Sequence, residues 1–170
     1  MKLTRLTAVG AASAAAALLG ACSPLPGTAV AVEGVTISEN AIEAAVNGCA
    51  TALNVETTDL NRIGIVQILT LGEVSKVLLA DAGVTDDLID QAVASNAEMQ
   101  QMMAHQDCAP LARAQVWQGF LSQAAGADIL EQLQGVDVQM NPRYGRWSPD
   151  ETQIFSQSGS LSTPAASILK

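Results

Sequence analysis

Two short stretches decide how this chain folds: Ala29–Ile37 (AVAVEGVTI) and Val136–Met140 (VDVQM). In the first, Val30 and Val32, then Val35 and Ile37, alternate with small or polar residues, and Glu33-Gly34 interrupts them. A period of two marks strands, and a two-residue break containing glycine marks a tight turn, because glycine takes a positive φ at no steric cost. The stretch therefore reads as two very short strands around a turn. The second stretch alternates strictly and reads as a strand with one buried face. A lone terminal strand leaves its backbone groups unpaired, so the strand near residue 138 is expected to pair with the hairpin at 30–37. The fold class that follows is mostly α with a small β element: a helical domain closed by pairing of an N-terminal hairpin and a C-terminal strand.

Between these stretches the apolar residues repeat at helical spacing. Ser38 caps a first helix with Glu39 in its first turn, and Ile42, Val46, Cys49 and Leu53 form its stripe. Asp59 is placed to cap a second helix from about Leu60 to Asp81, in which Arg62, Glu73 and Lys76 share one narrow sector. Most of its remaining circumference is apolar, so this helix is either central to the core or faces a groove. Gly83 ends it. Thr85 caps a third helix, with Leu88, Ala92 and Val93 as its stripe and Met99, Met102 and Met103 continuing it. Pro110 opens a fourth helix to about Ala124, carrying Leu111, Trp117, Phe120 and Leu121. Ile129, Leu130 and Leu133 form a short fifth helix stopped by Gly135. The five Phe, Trp and Tyr residues crowd into Trp117–Phe120, Tyr144–Trp147 and Phe155, which suggests that the first two groups pack together.

Residues 1–21 read as a targeting segment. Lys2 and Arg5 are its basic part, and the uncharged run from Leu6 to Leu19 is too short to span a bilayer. Leu19-Gly20-Ala21-Cys22 resembles a bacterial lipobox, in which cysteine takes a diacylglycerol on sulfur and the signal is cut just before it. Two acyl chains anchor a protein stably, where one does so marginally. The competing reading is an ordinary secretory signal cut at an Ala-x-Ala-like site. The expected organisation is a signal at 1–21, a tether at 22–28 holding two prolines, a helical domain at 29–147 and a disordered tail at 148–170. The lipid on Cys22 would place the domain on the outer face of the cytoplasmic membrane, or on the outer membrane of an organism that has one. Ser23 supplies no acidic retention signal.

Removing Lys2 and Arg5 leaves 6 basic and 17 acidic residues, a charge of −11. Nucleic acid, which needs basic patches, is not an expected partner, and anionic headgroups repel such a chain as a whole. Cys49 and Cys108 are the two cysteines of the remaining domain. Outside the cytoplasm thiols oxidise, so they read first as one disulfide and otherwise as two buried thiols. Closing so long a loop is worth roughly 4 kcal/mol on the chain-entropy argument.

The strand–helices–strand order, the opening Val32-Glu-Gly-Val-Thr-Ile-Ser38 and the segment Asn141-Pro-Arg-Tyr-Gly145 together resemble the N-terminal domain of SurA- and PrsA-type extracytoplasmic foldases, over roughly residues 29–150. The resemblance implies a domain that holds unfolded or partly folded exported chains in apolar clefts. Such foldases carry prolyl isomerisation on separate parvulin domains, for which 170 residues leave no room. No peptide-contact residues are carried over from the family.

No catalytic residues are expected. His105 is the single histidine, there is no Gly-x-Ser-x-Gly elbow and no glycine-rich phosphate loop. No cofactor or metal is assigned. Met99, Met102, Met103 and His105 suit Cu(I) by ligand chemistry, which gives an alternative copper-binding lipoprotein. The same methionines would otherwise pack the core or form an adaptable peptide-binding surface. Tyr144, Arg146 and Trp147 either form a contact site or fold back as a cap. A structural envelope lipoprotein without clients is the third reading.

Overall fold

A computed structural model describes residues 26–156. The signal at 1–21, Cys22, the tether as far as residue 25 and residues 157–170 lie outside them. The described residues fold as a mostly helical domain with a small antiparallel sheet. Strands β1 (Thr28–Val32) and β2 (Val35–Ser38) form the hairpin, and β3 (Val138–Met140) pairs with β1, giving the order β2-β1-β3. Val30 faces Met140, and Val32 faces Val138. The strand from Val136 is thus shorter than its alternation suggests, because Val136 ends the preceding helix. The hairpin turn has positive φ at Glu33 as well as Gly34, the signature of a type I′ turn. Glu33 is held there by two bonds to the start of β3: its N–H donates to the Asp137 carbonyl (2.9 Å), and its carboxylate accepts from the Asp137 N–H (2.8 Å).

The helices are α1 (Glu39–Leu53), α2 (Arg62–Leu78), α3 (Asp86–Ala94), α4 (Ala97–Met103), α5 (Ala109–Ala124) and α6 (Ile129–Gly135). Ser38 caps α1 and Thr85 caps α3 through their side chains. Three boundaries differ from the sequence reading, two of them because of a local cap. Asn61, not Asp59, caps α2 by accepting from the Gly64 N–H (3.2 Å), while Asp59 sits in a separate 3-10 turn. That helix stops at Leu78, and a second 3-10 turn leads to Gly83. The long third helix is two helices, because the Asn96 side chain accepts from the Glu98 and Met99 N–H groups and restarts the chain as α4. The stripe of α3 holds at Ala92 and Val93 but not at its first position: Leu88 is 41% exposed, and Ile89 is buried in its place.

The main core gathers β1, α1, α2 and the start of α5 around residues such as Val30, Ile42, Val66 and Leu111. A second cluster joins α3 and the end of α5 through Ile89, Val93, Trp117 and Leu121. Phe120 belongs with Trp117, whereas Tyr144 and Trp147 pack in the main core, so the two aromatic groups are not partners. Instead Trp147 meets Phe155 edge-on, ring centroids 5.5 Å apart. These two residues sit on β4 (Arg146–Trp147) and β5 (Phe155–Ser156), a second antiparallel pair. The chain is therefore structured for several residues past 148, where the sequence suggested only a tail.

Candidate functional site

Two regions of the described residues stand out: a groove walled by α1 and α5, and a polar latch around Asn141–Gly145. The groove encloses about 430 Å³. One wall is α1, presenting Ala41 and Ala45 beside Ile37 of β2; the other is α5, presenting Ala109 and Ala114; Leu69 and Gly72 of α2 lie between them. It stays open because its walls are alanine: leucines at those positions would fill a space of this size. Gly72 sets the depth. A Cβ there would fall 2.5 Å from the Ala114 Cβ and 2.8 Å from its Cα, so α2 and α5 touch backbone to backbone. Charges are confined to the rim and are compensated, with Lys76 paired to Glu73 (2.7 Å) and Arg113 to Asp90 (2.9 Å). The broad apolar surface of α2 does both things the sequence left open, packing the core with Ile65 and Val66 and lining the groove with Leu69.

The walls are joined covalently. Cys49 on α1 and Cys108, the residue before α5, form a disulfide with an S–S distance of 2.01 Å, both fully buried. Gly48 admits this junction, since a Cβ at that position would meet Asp107 at 2.6 Å.

In the latch every residue of the NPRYG segment has a structural task. The Asn141 side chain accepts from the Arg143 N–H (3.2 Å) and shapes the turn, which Pro142 enters with a suitable φ. Tyr144 is buried, and its hydroxyl donates to Glu39 Oε2 (2.6 Å) while accepting from Arg62 Nε (3.3 Å). Arg143 pairs with the other oxygen of Glu39, and its guanidinium lies 5.1 Å from the Tyr144 ring centroid. Arg62 also pairs with Glu43 and lies 3.6 Å from Glu39. Gly145 has φ 105°, and a Cβ there would approach the Ser156 carbonyl to 2.9 Å. Burial alone would raise the Glu39 pKa, but the Tyr144 hydroxyl and the Arg143 and Arg62 charges outweigh it and hold the carboxyl below its ordinary 4.5. Burial and donation to Glu39 both push the Tyr144 phenol up. Glu39, read from sequence as a first-turn acid, is the centre of this network. Its partners lie 23 to 105 residues away, and no local pattern announces them.

The methionines do not form an open face. Met102 is 2% exposed, and the half-buried Met99 and Met103 pack against both core clusters. They fill the irregular seam between the clusters, a task suited to an unbranched thioether. Of the candidate peptide-binding trio, Met102 is thus closed to a peptide, while Met99 and Met103 keep part of their surface. Among the described residues no group of three or more His, Cys, Asp or Glu side chains could hold a metal, and no helix is long and apolar enough to cross a membrane. Cys22, the lipidation candidate, lies outside the described residues. Comparison with protein-family models, with curated proteins and with solved structures gives no match, so the likeness to the SurA- and PrsA-type foldases rests on the sequence motifs alone.

Proposed function

We propose that the mature chain is an extracytoplasmic lipoprotein, anchored by lipid on Cys22, whose domain binds apolar segments of exported polypeptides and performs no catalysis. One observation carries the reading: the alanine-walled groove, apolar inside and charge-compensated at its rim. A site of about 430 Å³ accepts a few side chains of an extended segment, and its lack of uncompensated charge suits clients of varied sequence. The neighbouring strand β2 strengthens it. β2 is the sheet edge, with Val35 54% exposed. In a type I′ hairpin the residue pair next to the turn, Val32–Val35, is hydrogen-bonded, so the Thr36 backbone groups point outward. An extended client in the groove can bond to that edge, as peptides do in β-strand addition.

The acylated chain in neutral nanodiscs, at several-fold molar excess, should delay aggregation of several unfolded clients. Ala41→Trp, which places an indole in the groove from an exposed position, should abolish the delay. Equal protection by the variant, or none by the parent chain, rejects the groove as the site. Capture of one fixed folded partner would favour the structural reading instead. The copper reading gains nothing from methionines that pack the seam between the two clusters, Met102 buried and Met99 and Met103 half-buried.

A further inference from the structure

The end of the domain that receives the tether differs in charge from the rest. The first described residues are Pro26 and Gly27, and the Gly27 carbonyl accepts from the Glu39 N–H (2.8 Å), placing the chain entry at the start of α1. Asn141 reaches the same end, its N–H donating to the Ala29 carbonyl (2.8 Å), and Arg143 and Arg62 converge there on Glu39. Arg146 follows on β4 and is exposed, opposite Ser156. Of the five cations of the described residues, Arg62 and Arg143 thus meet at the tether end against Glu39 and Glu43, and Arg146 follows two residues after Tyr144, beside Met140 and Pro142. The other two, Lys76 and Arg113, are paired on the groove rim. β1 then carries the chain about 13 Å away to an acidic end: Glu33 bonds Asp137 there. The β4–β5 hairpin tip with Asp150 and Glu151 turns the same way, Gln134 of α6 donating to the Pro149 carbonyl (3.0 Å).

We propose that this basic end is a docking surface for an anionic lipid bilayer, and that it fixes the orientation of the domain on its membrane. The proposal rests on the Cys22 anchor. Whatever their conformation, the four residue steps from Cys22 to Pro26 span at most about 14 Å, so the tether end is held at the headgroups. The Debye length is about 8 Å at physiological salt. At less than full extension of those steps Arg143 and Arg146 fall within reach of the surface charge, and the acidic end, about 13 Å farther on, stands beyond it. A net charge of −11 on the mature chain opposes free adsorption, yet on an anchored domain this asymmetry acts as a torque. Arg143 keeps Glu39 as a partner, whereas Arg146 has its charge free for a phosphate. The groove inherits the orientation: Ile37 and Ala41, which flank the tether end, face the bilayer side.

The test is hydrogen exchange of the full acylated chain on vesicles of phosphatidylcholine alone and with about one third phosphatidylglycerol, after flotation. On the anionic vesicles, amides of residues 141–147 should exchange several-fold more slowly than on neutral ones, while those of 148–154 and of the Glu33 turn do not change. The slowing should vanish at about 1 M salt, where the Debye length is about 3 Å, and in Arg146→Glu with its melting temperature unchanged. Flotation with equal exchange on both vesicles, or protection of the hairpin tip instead, overturns the orientation and leaves the anchor standing. A chain that does not float contradicts both.

Discussion

The latch and the groove are built from neighbouring parts of the same elements, and they are opposites. In the latch, Glu39, Arg62, Arg143 and Tyr144 bond to one another and the glycine at 145 admits a carbonyl, so no cavity is left for a client side chain. In the groove, alanines stand where larger residues would complete the packing, and the charges are set back to the rim. The contrast separates residues that hold the domain together from those that leave room for something else. It also gives the NPRYG segment, the more specific half of the foldase resemblance, a task in the fold, which bears on architecture more than on activity.

The contrast can be broken from the stable side first. Replacing Cys49 and Cys108 by serine removes the bond between the groove walls and should cost roughly 4 kcal/mol in urea unfolding, the largest effect expected. Next comes Gly145→Ala. The positive φ and the Ser156 carbonyl together should cost about 1–3 kcal/mol, read as a lower melting temperature with client binding intact below it. A neutral Gly145→Ala would mean that the latch is loose.

Tyr144→Phe is smaller, about 1–2 kcal/mol, because it leaves Glu39 and Arg62 short of a partner in a part-buried site. It has a second readout in acid. The folded pKa of Glu39 lies below its ordinary 4.5, so its contribution to stability is complete above that value and is lost as pH falls through the lower folded pKa. The parent chain should therefore lose stability below about pH 4.5 more steeply than Tyr144→Phe does. Parallel curves would show that the hydroxyl does not support the carboxylate.

What could be read from the sequence divides along the same line. The pairing of β3 with the hairpin and the Ser38 and Thr85 caps follow from local signals, alternation and capping chemistry, and the Cys49–Cys108 pair follows from the expectation that an exported chain has its thiols oxidised. The Asn96 cap was also written in the sequence, but the apolar period running across it from Val93 to Met99 masked the break. The Glu39 network was not legible, since it depends on a tertiary approach of three distant segments. The groove left only an indirect trace, in the excess apolar surface of α2 and the alanines of α1. A site made of missing volume has no motif, because alanine serves equally in a closed helix contact.

Ala41→Trp is the mildest change for the fold and the most direct for the account. Its site is exposed, so stability should stay within about 0.5 kcal/mol. The deciding measurement is client holding by Ala41→Trp and Tyr144→Phe side by side with the parent chain, each below its own melting temperature. Ala41→Trp should be as stable as the parent and no longer hold clients, while Tyr144→Phe should be less stable and hold them fully. Full holding by Ala41→Trp would contradict the claim that this groove is where the protein works.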